Sequence, residues 1–148
     1  MKAVAVSDAF MVKAYYRKCF ASFPQYDLQV IPFGLPTRAE MRPVNHLIER
    51  GGPYAVEPPE ELYEALRDAD VLMVHMCPVP AKLLDAAPRL KAVLVNRGGM
   101  ENVDIPAATE RGIAVLNNPA HNANSVAELT IALMLSETRN LARTHRNL

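Results

Sequence analysis

An α/β fold built on a doubly wound parallel sheet is what this sequence predicts, and three observations predict it. Short continuous apolar runs recur along the chain, stretches of helical period separate them, and turn residues mark the junctions. Parallel strands buried on both faces by crossover helices produce that pattern. At 148 residues the chain is long enough for one domain with a substantial core and too short for two ordinary ones.

Lys2 to Ser7 reads as the first strand. Phe10 to Phe20 carries helical spacing through Phe10, Val12, Ala14, Tyr15 and Cys19, and ends before Pro24. Leu28 to Phe33 is the second strand, and Pro32 marks its end as a sheet edge, because proline cannot donate to a ladder. Residues 34 to 58 then break the rhythm with repeated glycines and prolines and are read as an insertion holding one broken helix. Thr37-Arg38-Ala39-Glu40 matches a capping box, Pro43 is expected to kink or divide the helix it interrupts, and Glu49 to Pro53 looks like a helix end and a turn. Glu60 to Ala69 is a helix with Leu62, Ala65 and Leu66 on one side, and Val71 to Met76 is the third strand. Pro80 to Ala87 is a short helix stopped by Pro88, before a fourth strand from Leu90 to Val95. Asp104 is placed to cap the next helix, with Pro106 in its first turn and Gly112 just past its end. Ile113 to Leu116 is the fifth strand. Right-handed crossovers between these strands predict a flavodoxin-like sheet ordered 2-1-3-4-5.

Beyond the sheet, Ser125-Val126-Ala127-Glu128 matches a second capping box. Leu129, Ile131, Ala132, Leu133, Met134 and Leu135 then occupy nearly the whole circumference of a long apolar carboxyl-terminal helix, which needs cover on every side. Arg139, Arg143, His145 and Arg146 sit near its carboxyl end, where they complement the helix dipole or simply meet solvent.

Charge and composition exclude several functions. Sixteen basic residues balance sixteen acidic ones, so no net field gathers nucleic acid or an anionic membrane surface. No apolar run reaches the roughly 18 residues of a membrane span, and the amino terminus lacks the features of a secretory signal, so a cytoplasmic protein is expected. Cys19 and Cys77 are too few for a disulfide framework or a four-cysteine zinc site, and no metal is expected.

In an open α/β sheet, ligands bind beyond the carboxyl ends of the strands, which makes the residues after each strand the search list. It comprises Ser7-Asp8, Met76-Cys77-Pro78, Asn96 to Met100, and Asn117 to His121. Gly98 and Gly99 let the backbone turn sharply after the fourth strand and leave successive amides free to converge on a small anion such as a carboxylate; an ordinary tight turn is the alternative. His75 and Cys77, two apart, have no third or fourth ligand spaced to join them and read as a packed histidine and an inert thiol. His121 lies in a polar loop near the expected mouth, with no acidic partner evident. The six glycines allow neither a G-x-G-x-x-G fingerprint nor a Walker A loop anywhere in the chain.

From about Leu62 onward the sequence resembles the D-isomer-specific 2-hydroxyacid dehydrogenases. The resemblance is carried by Ala69 to Val74, by Leu90 to Val93 with Arg97 to Asp104, by Ala107-Ala108 and Arg111 to Val115, and by Asn117-Asn118-Pro119 with Asn122 to Glu128. It implies an oxidoreductase that moves a hydride between NAD (or NADP) and the C2 carbon of a 2-hydroxy or 2-oxo acid. It also implies that residues 1–120 are a substrate-binding domain and residues 121–148 an interdomain helix leading to a Rossmann cofactor domain. The family's glycine-rich loop and catalytic histidine would lie beyond this chain, so no catalytic residue, bound cofactor or turnover is expected of the chain alone. By the same resemblance, Arg97, Gly98 and Gly99 would hold the substrate carboxylate, with Met76 and Cys77 beside it. Cys77-Pro78 stands where relatives using phosphorylated substrates carry a basic residue. A homodimer, or a swap of the helix at 125–148, would cover that helix. A non-enzymatic α/β binding or assembly module using the helix for a partner is the alternative.

Overall fold

A computed structural model describes residues 1–147 of the chain. In chain order the elements are β1 (Lys2–Ser7), α1 (Lys13–Phe20), β2 (Asp27–Pro32), α2 (Arg38–Gly51), a 3-10 turn (Gly52–Tyr54), α3 (Glu60–Leu66), β3 (Val71–Val74), α4 (Ala81–Asp85), β4 (Ala92–Val95), α5 (Ile105–Glu110), β5 (Ala114–Asn117), α6 (Ala123–Thr138) and α7 (Leu141–Arg146). The five strands form one sheet in the order β2-β1-β3-β4-β5, and every pairing is parallel, as expected from the sequence. Pro32 closes β2 at the sheet edge.

The crossover rule also explains why the sheet is not covered equally on its two faces. The connections β2 to β3, β3 to β4 and β4 to β5 all step in one direction across the sheet, and right-handed crossovers put their helices on one face. Only β1 to β2 steps the other way. Leu72, Val74, Val93 and Val95 are accordingly sealed in one core with Met41, Ile48, Leu62, Leu66, Leu83 and Leu84. On the other face, Val71, Met73, Ala92 and Leu94 are only half-buried, and Leu116 is 51% exposed. Two-sided burial of every strand, the premise of the sequence reading, therefore fails over β3 to β5.

Four expected features are corrected by the structure. Phe10 to Val12 lie outside α1, because the Asp8 carboxylate accepts from the Phe10 and Met11 amides at 2.8 and 2.7 Å and holds them in a turn. Pro43 neither divides nor ends α2. It sits near the helix start, where it forfeits one bond, to Ala39, while the Thr37–Glu40 capping box fixes the first turn and Met41 and Ile48 bury completely. The box expected at Ser125 to Glu128 does not form; α6 starts earlier, after Asn122, following a turn through Ala120 at a φ of 58°. The single long apolar helix expected over 125–148 is absent as well. Asn140, in the left-handed region at a φ of 53°, separates α6 from α7, and Leu148 lies outside the described residues. No residue of α6 is buried, and among the described residues no helix is long and apolar enough to cross a membrane.

Candidate functional site

The parallel register decides what meets at the carboxyl edge of the sheet. Val74 pairs with Val95 and Val95 with Asn117, so the chain segments beginning at His75, Asn96 and Asn118 leave the sheet side by side. They open onto a cleft of about 410 Å³ walled by His75, Met76, Arg97, Gly98, Gly99 and His121, with Phe10 and with Asn45 and Glu49 of α2 also in its lining. Arg97, Gly98, Gly99 and Met76 are thus brought together. Cys77 is not: its thiol lies in the core at 1% exposure, and burial pushes its titration up, out of reach of ordinary thiolate chemistry.

The turn after β4 is pinned from outside. The Asn118 amide donates to the Arg97 carbonyl at 3.0 Å, and Asn117 Nδ2 donates to the Gly98 carbonyl. Gly98 and Gly99 donate their own amides to no acceptor among the described residues. Neither glycine has a positive φ, so the sharp-turn reason for them does not apply. A Cβ on Gly99 would overlap the Glu101 carboxylate, the movable end of a flexible side chain, and one on Gly98 would make only ordinary contact with His121 Nδ1 at 3.8 Å.

Charge in the cleft is balanced locally. Arg97, 17% exposed, directs Nη2 at Glu49 (3.3 Å) and at Glu101 (3.4 Å), and its Nη1 meets Met76 Sδ at 2.7 Å. Behind it, Asn96 Nδ2 donates to the Tyr16 hydroxyl at 2.9 Å, which donates to the Val6 carbonyl; burial pushes that hydroxyl up to about 12. Asn102, fully buried, donates through Nδ2 to the Cys77 carbonyl at 2.8 Å, while its backbone carbonyl accepts from the Val79 amide at 2.7 Å. It therefore ties the loop after β4 to the loop after β3.

Sequence reasoning missed the hydrogen-bonded Asp8–His75 pair at the next strand end. His75 Nδ1 lies 2.8 Å from Asp8 Oδ2, joining the loops after β3 and β1. Burial works to raise the Asp8 carboxyl, but the His75 hydrogen bond and the Met11 and Phe10 amides outweigh it and hold the group below its ordinary value. A usable signal was present, since both residues follow strands that are neighbours in the 2-1-3-4-5 order. Asn45 and Glu49 were hidden because Pro43 made α2 look broken; once continuous, the helix puts residues four apart on one face. The β1–α1 turn does not fit a dinucleotide: a carboxylate already occupies its amides, where a pyrophosphate would need them free.

Similarity to known proteins agrees with this architecture. The model of the D-isomer specific 2-hydroxyacid dehydrogenase catalytic domain matches residues 44–146. Over 90 residues the chain is 42% identical to the D-3-phosphoglycerate dehydrogenase of Methanocaldococcus jannaschii, covering 60% of this chain and 17% of that protein. Over 88 residues it is 38% identical to the glyoxylate reductase of Thermofilum pendens, covering 59% and 26%. Its fold is similar to that of the NAD-dependent formate dehydrogenase from Staphylococcus aureus in complex with NAD, with a TM-score of 0.68, 22% identity, and coverage of 99% of this chain and 39% of that one. The matched stretch thus spans about a sixth to a quarter of these curated relatives. With its family match running from α2 into α7, the chain belongs to the D-isomer-specific 2-hydroxyacid dehydrogenases.

Proposed function

We propose that this chain is the substrate-binding part of an NAD-dependent 2-hydroxyacid dehydrogenase, and that the turn at Arg97, Gly98 and Gly99 receives the carboxylate of a 2-hydroxy or 2-oxo acid. The observation that carries the reading is the pair of unoccupied glycine amides beside Arg97 at the carboxyl edge of β4. Two amides converging on one anion, next to a guanidinium, hold it by charge-assisted hydrogen bonds without any proton transfer. Residues 1–120 form the binding domain in this reading, and residues 121–148 lead toward a separate cofactor domain, where NAD would supply or accept the hydride. Family chemistry needs a positioned hydride donor and a general acid, and a carboxylate-binding turn is neither, so the chain alone turns nothing over.

The test is a titration of the 15N-labelled chain with D-glycerate, monitored at the Gly98 and Gly99 amide resonances. Saturable shifts at both are expected, with no response to NADH. Unmoved glycine amides, or submillimolar affinity for NADH, would overturn the reading.

The exposed surface of α6 favours one further reading, association through that helix with a second copy or another partner. Val126, Leu129, Ile131, Leu133, Met134 and Leu135 are each more than half exposed, an apolar extent uncommon on a monomer. Sedimentation is expected to give a dimer at micromolar concentration; a stable, non-aggregating monomer sinks this idea. A dimer that binds no acid would favour the non-enzymatic module.

A further inference from the structure

We infer that His75, fixed by Asp8, is a specificity-determining residue that with Asn45 takes a neutral hydroxyl on the carbon beyond C2, which makes the favoured substrate an unphosphorylated, further-hydroxylated acid. This rests on the reading of the Gly98–Gly99 turn as the carboxylate site and adds what the rest of the cleft recognises.

The geometry of the pair settles which way the imidazole faces. Asp8 Oδ1 is taken by the Phe10 and Met11 amides, so Oδ2 is left to accept from His75 Nδ1. The Nδ1 proton therefore points at Asp8, and Nε2, which has no partner among the described residues, is the nitrogen left for a ligand. The ring is held from a second side by Phe10, with centroids 5.7 Å apart, and Arg38 lies 5.4 Å over the Phe10 ring. An imidazole anchored at one nitrogen and packed on its face keeps one orientation, and its exposed edge lines the cleft.

A second orphan lines the same cleft. The side-chain oxygen of Asn45 is buried without a hydrogen-bond partner, although the residue lines the cleft wall. An unmet buried acceptor is costly unless something fills it. Because Val74 pairs with Val95, His75 stands level with Asn96, one residue before Arg97. Adjacent parallel strands are about 4.8 Å apart. A short acid whose carboxylate sits on the turn after β4 then reaches the end of β3 with its next carbon or two.

Charge decides between a hydroxyl and a second anion. Asp8, Glu49 and Glu101 bring three carboxylates to this region, and Arg97 is already shared between two of them. A phosphate or second carboxylate would enter an acidic surrounding whose own lining cation, Arg97, is already paired, while Arg38 lies behind the Phe10 ring with its Nε on the Ala9 carbonyl. A hydroxyl instead donates to Nε2 or to Asn45 and carries no charge into the site.

The experiment compares D-glycerate, D-lactate and 3-phospho-D-glycerate on the 15N-labelled 148-residue chain, reading dissociation constants and the Gly98 and Gly99 shifts together. D-glycerate is expected to bind about tenfold more tightly than D-lactate, the worth of one hydrogen bond, and more tightly than the phosphorylated acid. His75→Ala and Asn45→Ala should each erode the glycerate-to-lactate ratio toward one while lactate still shifts the glycine amides. Asp8→Asn keeps the cap on Phe10 and Met11 but reverses the histidine tautomer, which the imidazole 15N shifts report, and should lower the same ratio. Backbone shifts away from the cleft verify folding for each variant, and Asn45→Ala serves if His75→Ala does not fold. Equal affinity for glycerate and lactate with the glycine amides responding overturns this inference alone, as does tightest binding of the phosphorylated acid. Silence of the glycine amides to all three acids overturns the carboxylate turn and this inference together.

Discussion

Asp70 carries more of the structure than its place before β3 suggests. Its carboxylate accepts from the Lys2 amide at 2.9 Å and from Lys91 at 3.1 Å, and the two together hold it at about 2. Asp8 is likewise held below its ordinary value, against its burial. With folded values below the unfolded value of about 3.9, the unfolded chain binds more protons as pH falls, so the stability these two groups contribute is complete above about pH 5 and declines steadily below it. Urea midpoints measured across that range should decline, and Asp70→Asn should flatten the decline. Asn102 is the other buried polar group with long reach. Asn102→Ala should cost about 1–3 kcal/mol in chemical denaturation, because the Cys77 carbonyl then loses its donor inside the protein. That Arg97, Gly98 and Gly99 line a cleft at the sheet edge was legible from their place after an apolar strand. The Asp8–His75 pair was legible only through the strand order, which makes β1 and β3 neighbours; local spacing does not join residues 67 positions apart.

At the level of elements, capping chemistry was the most readable feature where the chain around it is packed. Thr37 and Asp104 cap as their sequences suggest, with Asp104 Oδ1 accepting from the Ala107 amide at 3.0 Å. The match at Ser125 failed, since α6 is not packed against the sheet and its start is set by the turn before it. Proline was misread at position 43, where burial of Met41 and Ile48 outweighs one missing backbone bond. Gly112 ends α5 at a φ of 67°, a conformation that costs an L side chain about 1 kcal/mol or more. Nothing lies within 4 Å of a Cβ there, so Gly112→Ala should introduce that strain and nothing else, visible as a small, clean fall in the thermal midpoint.

On the scale of the whole molecule, strand order came from the crossover rule, and the same rule gives three connections to one face and one to the other. The periodicity of apolar runs could not reveal this, because a half-buried strand and a fully buried one of four residues look alike. Val71, Met73 and Leu94, flanked by Cys19, Phe20 and Phe23, leave a shallow greasy trough on the native molecule. A fluorescent dye such as ANS should therefore brighten on the folded chain, at a site that Met73→Lys abolishes while the circular dichroism stays native. The practical consequence is colloidal: this protein, handled at high concentration, should clump through that trough as well as through α6 before it melts, and a lysine at position 73 should slow the clumping without removing the contribution of α6.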